Sequence, residues 1–382
     1  MDKRSRIVIW TTVVLFLTVV MSSRVCNGAP DITADAAVVL DARTGSILYG
    51  RCLYQERPPA STTKILTAII ALEKGRLGDI VTISPKAGYT EGSSIYLRPG
   101  EKLTLEELIW GALLESGNDA CVAIAEHLAG SEEDFSELQN RKAKAIGAWD
   151  THFVNPHGLS DPKHYTTAYD LGTMARYSLR NSKFQKIVRS QEKIPERLGE
   201  TRSFFSTNRL LWSYSGCDGV KTGTTEAAGQ CLVASASRGG RQLVAVVLHS
   251  DDRWKDAAAL LDYGFSHTKL LKLASAGQVT YFPLEYGLKT VLTARAASDL
   301  YVVVPANMAE QLNTLWLPLS DLKAPVGYGE KVGEVQVWIQ GKLIARTNLV
   351  SASNIPSRTL LNVLLWQVYR PLLFQLRVWH LL

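Results

Sequence analysis

The stretch that most constrains this chain is Pro58-Pro59-Ala60-Ser61-Thr62-Thr63-Lys64, which runs directly into the apolar segment Ile65–Leu72. A proline pair favours a turn and the apolar run closes at Lys74-Gly75, so the pattern predicts a helix that begins near Ser61. Side chains three residues apart lie on the same face of a helix, so Ser61 can touch Lys64. A desolvated lysine amine can take the proton of a neighbouring hydroxyl, which predicts a serine nucleophile with a lysine base.

Ser-x-x-Lys by itself is weak evidence, because the same spacing recurs at residues 190/193, 266/269 and 320/323. Two other motifs accompany the first one. Ser116-x-Asn118 follows a helix that opens with the capping box Thr104–Glu107, and a second helix begins at Asp119, so the motif lies on a tight connection between helices. Further on, Lys221-Thr222-Gly223-Thr224 begins an extended stretch and occurs once.

The amino terminus has the pattern of an export signal. Three basic residues precede an apolar segment from Ile7 to Met21, and small residues follow at Gly28-Ala29. Residues 1–29 are therefore predicted to be a signal peptide, with an uncleaved membrane anchor as the alternative. Its removal takes away four basic residues and one acidic residue, so the net charge falls from +6 to +3. That charge is too small to indicate nucleic-acid binding.

Four cysteines remain after cleavage: Cys52, Cys121, Cys217 and Cys231. Four cysteines allow three pairings, which spacing does not distinguish. Cys217–Cys231 is the favoured pair if a disulfide forms, and buried free thiols at Cys121 and Cys231 are the alternative. His-Glu-x-x-His and its inverse are absent, and no other metal or cofactor motif is found, so neither a metal nor a cofactor is expected.

The rest of the chain predicts three successive parts. Residues 30–272 alternate predicted helices with strands, including a hairpin from 36 to 49 and two strands joined at Gly239-Gly240. Residues 273–350 consist of short β-like runs and predict a small separate β domain. Residues 351–382 carry three arginines and no acidic residue, which predicts an amphipathic helix on a membrane surface. A helix packed on the β domain is the alternative.

The three motifs, in this order, are the set found in penicillin-binding proteins and class A β-lactamases. Beyond them, the chain resembles the D-alanyl-D-alanine carboxypeptidases among the low-molecular-mass penicillin-binding proteins. The phrases that carry this resemblance are Glu115-Ser116-Gly117-Asn118-Asp119-Ala120, Asn155-Pro156-His157-Gly158-Leu159, Asp218-Gly219-Val220-Lys221-Thr222-Gly223 and Leu261-Asp262-Tyr263-Gly264-Phe265. The resemblance implies a β-lactamase/transpeptidase-like catalytic domain, with helices flanking an antiparallel sheet, followed by a small β domain and the amphipathic tail.

The resemblance also implies roles. Ser61 would form the acyl-enzyme, Lys64 would be its base, Ser116 would relay protons to the leaving amine and Asn118 would hold the substrate amide. Substrate binding would fall to Lys221, Thr222, Gly223, Thr224 and Arg253, with Arg253 at the terminal carboxylate. The backbone N–H groups of Ser61 and Thr224 would form the oxyanion hole. The implied partners are peptidoglycan stem peptides and inhibitory β-lactams, met at the outer face of the cytoplasmic membrane.

Three alternatives stay open. A class A β-lactamase needs a deacylating glutamate before Lys-Thr-Gly, but the matching Glu310-Gln311-Leu312-Asn313 lies after it. A transpeptidase or endopeptidase would share the same acyl-enzyme. An inactive wall-binding scaffold would not need the complete set of motif residues. His157 is interpreted as a structural residue of its loop rather than as a base.

Overall fold

The computed structural model describes residues 28–195 and 202–363, and these form two compact units. The first unit contains residues 28–40 and 47–264, and the second contains residues 41–46 and 265–363. The predicted signal peptide lies almost wholly outside the described residues, as does the predicted tail helix beyond Val363. Among the described residues, no helix combines the length and the apolarity needed to span a membrane.

A five-stranded sheet forms the centre of the first unit, and its strands lie in the order β2 (Ile47–Arg51), β1 (Ala36–Asp41), β9 (Arg241–Ser250), β8 (Gly229–Arg238) and β7 (Cys217–Thr225). The pairs β1–β2 and β8–β9 are antiparallel, as expected from the two predicted hairpins, and the pair β7–β8 is antiparallel as well. The strands of this unit are β1 (Ala36–Asp41), β2 (Ile47–Arg51), β3 (Ile80–Thr82), β4 (Lys102–Thr104), β5 (Glu192–Lys193), β6 (Phe204–Phe205), β7 (Cys217–Thr225), β8 (Gly229–Arg238) and β9 (Arg241–Ser250).

Several helices of the first unit begin at a residue whose side chain caps them. Thr104 and Glu107 form both arms of the predicted capping box, and Ser131 and Thr167 cap two further helices through their side chains. The helices are α1 (Lys64–Lys74), α2 (Pro85–Gly88), α3 (Leu105–Leu114), α4 (Asn118–Ala129), α5 (Glu132–Ala145), α6 (Ala168–Ser178), α7 (Ser182–Val188), α8 (Leu210–Ser213) and α9 (Arg253–His267).

Helices cover both faces of the sheet, which explains why every residue of β1 is buried. Successive strand residues point to opposite faces. Gly172 of α6 packs against Leu40 and Val38 on one face, and Gly264 of α9 packs against Val39 on the other. An added Cβ at Gly172 would lie 2.8 Å from Leu40 Cδ1, and one at Gly264 would lie 2.7 Å from Leu243 Cδ1, so a larger residue at either position would require these leucines to shift. The predicted helix–sheet–helix arrangement is confirmed.

The second unit is a β structure with its own apolar core. Its strands are β10 (Thr268–Ala274), β11 (Val279–Pro283), β12 (Val291–Ala296), β13 (Leu300–Pro305), β14 (Leu312–Pro318), β15 (Lys331–Ile339) and β16 (Lys342–Ser351). Five of them form a sheet in the order β11-β12-β16-β15-β14, and β10 pairs with β13. Because β10 pairs wholly within this unit, we propose that the β domain starts near residue 265.

The first residues of the predicted tail also belong to this β structure. Ile355 is buried in the core of the unit and forms a bridge with Val326, while Ser357 pairs with Gly287. Arg358 N donates to Tyr286 O at 2.6 Å. We therefore propose that any membrane-binding segment begins after this point rather than at residue 351.

The four described cysteines are free thiols. Cys217 and Cys231 stand on the neighbouring strands β7 and β8, but the register pairs Cys217 with Ala236 and Cys231 with Gly223. This offset leaves the favoured pair unformed, and Cys121 and Cys231 are buried as small apolar side chains.

Candidate active site

Ser61 lies on a 3₁₀ turn, Ala60–Thr63, that leads into α1, whereas the sequence pattern predicted the first turn of an α-helix. Ala60 has φ +49°, and the hydroxyls of Thr62 and Thr63 donate to Pro59 O and Ala60 O. These local bonds hold the tight turn and compete with α-helical hydrogen bonding. Ser61 is half-buried in this turn, three residues before the buried Lys64.

The Lys64 amine has three oxygen neighbours. Its Nζ lies 2.8 Å from Ser61 Oγ, 2.7 Å from Asn118 Oδ1 and 2.8 Å from His157 O. The Lys64 side chain is fully buried. Burial lowers the pKa of Lys64 from 10.5 to about 8, against the opposing charge of groups such as Asp119. The amine is thus held in hydrogen-bond contact with the serine hydroxyl and can exist as a neutral base.

Asn118 connects this lysine to the loop between α2 and β4. Its Nδ2 donates to Glu91 O at 2.7 Å, which fixes the orientation of the amide with Oδ1 towards Lys64. The buried carboxylate of Asp119 accepts from Ser94 Oγ and from the backbone N–H groups of Ile95 and Leu97. The loop is therefore tied to the amino terminus of α4.

Ser116 has φ +67° on the connection between α3 and α4 and is nearly buried. Such a φ is uncommon for a residue other than glycine and is often found at functional sites. Within residues 28–195 and 202–363, the Ser116 hydroxyl forms no hydrogen bond, so it is free to contact a ligand.

The turn Asn155–Leu159 brings the carbonyl of His157 to Lys64. Asn155 Oδ1 accepts from Gly158 N at 2.7 Å, and Gly158 has φ +93° with no room for a Cβ against Ala60 O. His157 Nδ1 accepts from Leu159 N, so its Nε2 carries the hydrogen that faces Glu132 at 3.3 Å. Burial lowers the pKa of His157, which keeps the ring neutral. Its interpretation as a structural loop residue fits these contacts.

Strand β7 provides the opposite side of the cleft. A Cβ on Gly223 would lie 3.0 Å from Ser61 N, so β7 packs directly against the 3₁₀ turn. Lys221 is buried, and its Nζ donates to Thr222 O at 3.1 Å. Burial and the nearby charge of Lys64 hold the pKa of Lys221 well below its usual range.

Arg253, at the start of α9, lies beside the end of this strand. Its Nη1 donates to Gly223 O, Thr224 Oγ1 and Cys231 O at 2.8, 2.9 and 3.2 Å. Its Nε is buried and has no partner among the described residues.

The predicted site residues thus lie on two sides of the cleft. We call one side the helical wall, which is formed by Ser61, Lys64, Ser116, Asn118 and the 155–159 turn. We call the other side the strand wall, which is formed by residues 221–224 and Arg253.

A family model described as D-alanyl-D-alanine carboxypeptidase matches residues 23–252, and the C-terminal domain of penicillin-binding protein 5 matches residues 269–357. The chain belongs to the D-alanyl-D-alanine carboxypeptidase family. It is a serine-type peptidase of the penicillin-binding protein 5 kind, and its C-terminal β unit is the domain typical of that kind. The family predicted from the motifs is confirmed.

Curated relatives and solved structures are similar to this chain over most of its length. The D-alanyl-D-alanine carboxypeptidase DacF of Bacillus subtilis is 32% identical over 335 residues, which cover 84% of this chain and 86% of the relative. The crystal structure of penicillin-binding protein 5 from Haemophilus influenzae has a TM-score of 0.76 at 29% identity, covering 86% of this chain and 99% of that one. A serine-to-alanine mutant of the Streptomyces K15 DD-transpeptidase aligns over its whole length with 62% of this chain, at 31% identity and TM-score 0.60.

Sequence reasoning missed several groups that position the lysine or the segments around it. The backbone carbonyl of His157 and the carboxylates of Asp119 and Glu132 were not assigned to the site. The available signal was the combination of Asn155, Pro156 and Gly158, since a turn that needs glycine usually fixes a backbone group in place. His157 lies 93 residues beyond Lys64, and no local pattern in the sequence indicates that its turn contacts the lysine.

Proposed function

We propose that Ser61 is the nucleophile and Lys64, as the neutral amine, is its base. A neutral amine has two N–H bonds and one lone pair. Asn118 Oδ1 and His157 O can only accept, so they take the two hydrogens. The lone pair is then directed at Ser61 Oγ, 2.8 Å away, and the serine hydroxyl becomes the donor. This arrangement of three oxygens around one amine is the observation that carries the proposal.

In the proposed reaction, Ser61 Oγ bonds to the carbonyl carbon between the two terminal D-alanines and its proton passes to Lys64. The C–N bond breaks, and the leaving D-alanine amine takes a proton through the free hydroxyl of Ser116. The backbone N–H groups of Ser61 and Thr224 stabilise the oxyanion. Water then hydrolyses the ester and restores the serine.

The strand wall binds the substrate in this proposal. Thr222 and Gly223 line the backbone of the peptide, while Lys221 and Arg253 supply positive charge for the terminal carboxylate. The buried, unpartnered Nε of Arg253 supports this assignment because a buried donor without an acceptor is costly in the free protein. β-Lactams would acylate the same serine, and the resulting acyl-enzyme would hydrolyse slowly.

The direct test is release of free D-alanine from a pentapeptide ending in D-Ala-D-Ala, with Ser61→Ala as the variant. Ser61→Ala should leave only residual activity, and intact mass after penicillin treatment should show one adduct that this variant lacks. Ser190→Ala is the matched control, because Ser190 belongs to another Ser-x-x-Lys pair and its hydroxyl bonds only Lys186 O in the described structure. An adduct that persists in Ser61→Ala would refute the assignment.

Transpeptidation is the second candidate, favoured by the likeness to the Streptomyces DD-transpeptidase. Both reactions share the acyl-enzyme and differ in whether water or an amine attacks it. Adding glycine as an amine acceptor and measuring the ratio of peptide product to free acid separates them. Hydrolysis as the main fate is expected here.

We also propose that the protein is exported and acts at the outer face of the cytoplasmic membrane, held there by the basic, acid-free segment beyond residue 358. Each arginine near anionic lipid contributes about 1 kcal/mol. A truncation after Val363 preserves the bridges made by Ile355 and Ser357. It should keep full activity on a small peptide but stop sedimenting with anionic vesicles, and high salt should weaken binding of the longer protein. Equal sedimentation of both forms would contradict the anchor.

A further inference from the structure

The carboxylate of Glu132, the first residue of α5, contacts two separate segments behind the helical wall. Its Oε2 lies 3.3 Å from His157 Nε2, and its Oε1 lies 2.9 Å from Lys86 Nζ. The Glu132 side chain is 14% exposed and that of His157 is 7% exposed, so water screens this contact weakly. Burial by itself would raise the pKa of Glu132, but the hydrogen bonds from His157 and Lys86 lower it, so the carboxylate is charged at neutral pH.

The first contact fixes one hydrogen-bond acceptor of Lys64. The imidazole of His157 is bonded at both nitrogens, because Nδ1 accepts from Leu159 N at 3.2 Å and Nε2 faces Glu132. The backbone carbonyl of the same residue lies 2.8 Å from Lys64 Nζ. The position of the ring therefore constrains the position of this carbonyl.

The second contact reaches the other acceptor. Lys86 belongs to α2, and Thr90 Oγ1 donates to Lys86 O at 2.9 Å. The next residue is Glu91, whose carbonyl accepts from Asn118 Nδ2 at 2.7 Å. Asn118 Oδ1 is in turn 2.7 Å from Lys64 Nζ. The ion pair between Lys86 and Glu132 thus ties down the segment that orients the Asn118 amide.

We propose that Glu132 is a positioning residue for the base, a single carboxylate that holds both acceptors of the Lys64 amine in place. The inference rests on the proposed function, because it takes Lys64 as the base from it. Glu132 acts through His157 and Lys86 rather than on the reacting atoms. A carboxylate can accept from both partners, whereas a glutamine of the same size has one acceptor oxygen and has to give up one of them.

The test is the pH profile of acylation by saturating fluorescent penicillin, from pH 6 to pH 10, in Glu132→Gln. We expect the plateau rate at high pH to fall about tenfold, because a small displacement of a reacting group is costly. The midpoint of the profile should also move to lower pH. Loss of an acceptor and of a nearby negative charge disfavours the protonated amine of Lys64, which lowers its pKa.

Glu133→Gln is the matched control. Glu133 is the next residue of the same helix turn, its side chain is 79% exposed, and it lies 4.0 Å from Lys86 Nζ. This variant should keep the wild-type plateau and midpoint. The other ionisable groups that face Lys64, namely Asp119, Cys121 and Lys221, are the same in every variant.

Glu132→Leu removes both contacts and should lower the plateau further than Glu132→Gln. Rates are expressed per mole of protein that binds penicillin, so a loss of folded protein does not count as a loss of rate. A merely structural role would lower the melting temperature and leave both the plateau and the midpoint at their wild-type values.

A Glu132→Gln profile that coincides with that of Glu133→Gln, or one with a lower plateau and an unmoved midpoint, overturns the inference. If Glu132→Leu does not fold, Glu132→Gln decides alone, because it keeps the size of the side chain. The proposed function fails in a different way: the profile of the wild-type protein would then be flat, with no midpoint to move.

Discussion

Each of the two walls of the cleft contains a buried lysine, and the two lysines differ in their hydrogen-bond partners. On the helical wall, Lys64 Nζ has three oxygen neighbours within 2.8 Å, contributed by the 3₁₀ turn, α4 and the 155–159 turn. On the strand wall, Lys221 Nζ has one oxygen neighbour within the described part of the chain, the carbonyl of Thr222 at 3.1 Å. Both side chains are almost completely inaccessible to solvent. Burial lowers the pKa of each, but the described residues supply three hydrogen-bond partners to Lys64 and one to Lys221.

In the proposed function, this difference separates a preorganised base, Lys64, from a binding group, Lys221, whose hydrogen bonds are completed by the substrate. The amine of Lys64 needs no rearrangement before it takes a proton, because its acceptors are in place in the free protein. Lys221 and the Nε of Arg253 are buried with incomplete hydrogen bonding, a cost that a substrate carboxylate would remove. We therefore expect substitutions on the helical wall to affect the chemical step and those on the strand wall to affect substrate recognition.

Lys64→Arg should have the largest effect. Arginine keeps the positive charge but does not deprotonate, so it cannot serve as the base. We expect the rate of acylation to fall by about 10⁴-fold, the upper range for loss of a general base, measured by stopped-flow with a fluorescent penicillin.

Lys74→Arg, at the exposed end of α1, is the matched control, and its rate of acylation should equal that of the wild-type protein. Near-normal acylation by a folded Lys64→Arg protein would show that another group is the base and would remove the distinction between the walls.

Local signals predicted most of the elements that frame the site. The capping box at Thr104, the turn at Gly239-Gly240 and the tight connection between two helices at Ser116-Gly117 depend on neighbouring residues, and each is present. Asn118 was predicted on that connection and is instead the first residue of α4. The fold class followed from the resemblance carried by the motifs.

The contacts that set the chemistry were not visible in the sequence because they join distant segments. Asn118 lies 54 residues from Lys64 and His157 lies 93 residues away. The 3₁₀ turn at Ser61 was missed because the periodicity of the apolar residues after Lys64 says nothing about how the preceding turn is bonded. The register of β7 and β8, which separates Cys217 from Cys231, is likewise a property of the assembled sheet.

Lys221→Gln should have an intermediate effect that distinguishes binding from chemistry. We expect kcat/KM for peptides with a free terminal carboxylate to fall about 100-fold, the loss of one charge-assisted hydrogen bond, and to fall much less for the same peptide with an amidated terminus. Because the variant removes a buried, incompletely bonded ammonium, its melting temperature should stay the same or rise. An equal loss on both peptides would mean that Lys221 acts in the chemical step, as Lys64 does.

The pH dependence should show the smallest effect and the sharpest contrast between the walls. In the proposed function the neutral form of Lys64 is the active one, and burial lowers its pKa to about 8, so we expect activity to be lost as the pH falls below that value. The acylation rate at saturating penicillin should therefore rise about tenfold from pH 7 to pH 9 and then level off. Lys221 must be charged to bind a carboxylate, and its pKa is also held low, so the concentration needed for half-saturation should increase as the pH rises. Lys221→Gln should abolish that increase and leave the rise in rate. A saturating rate that is flat between pH 6 and 10 would show that Lys64 does not titrate as the base, because a group that must lose a proton to react cannot give a pH-independent rate across its own pKa.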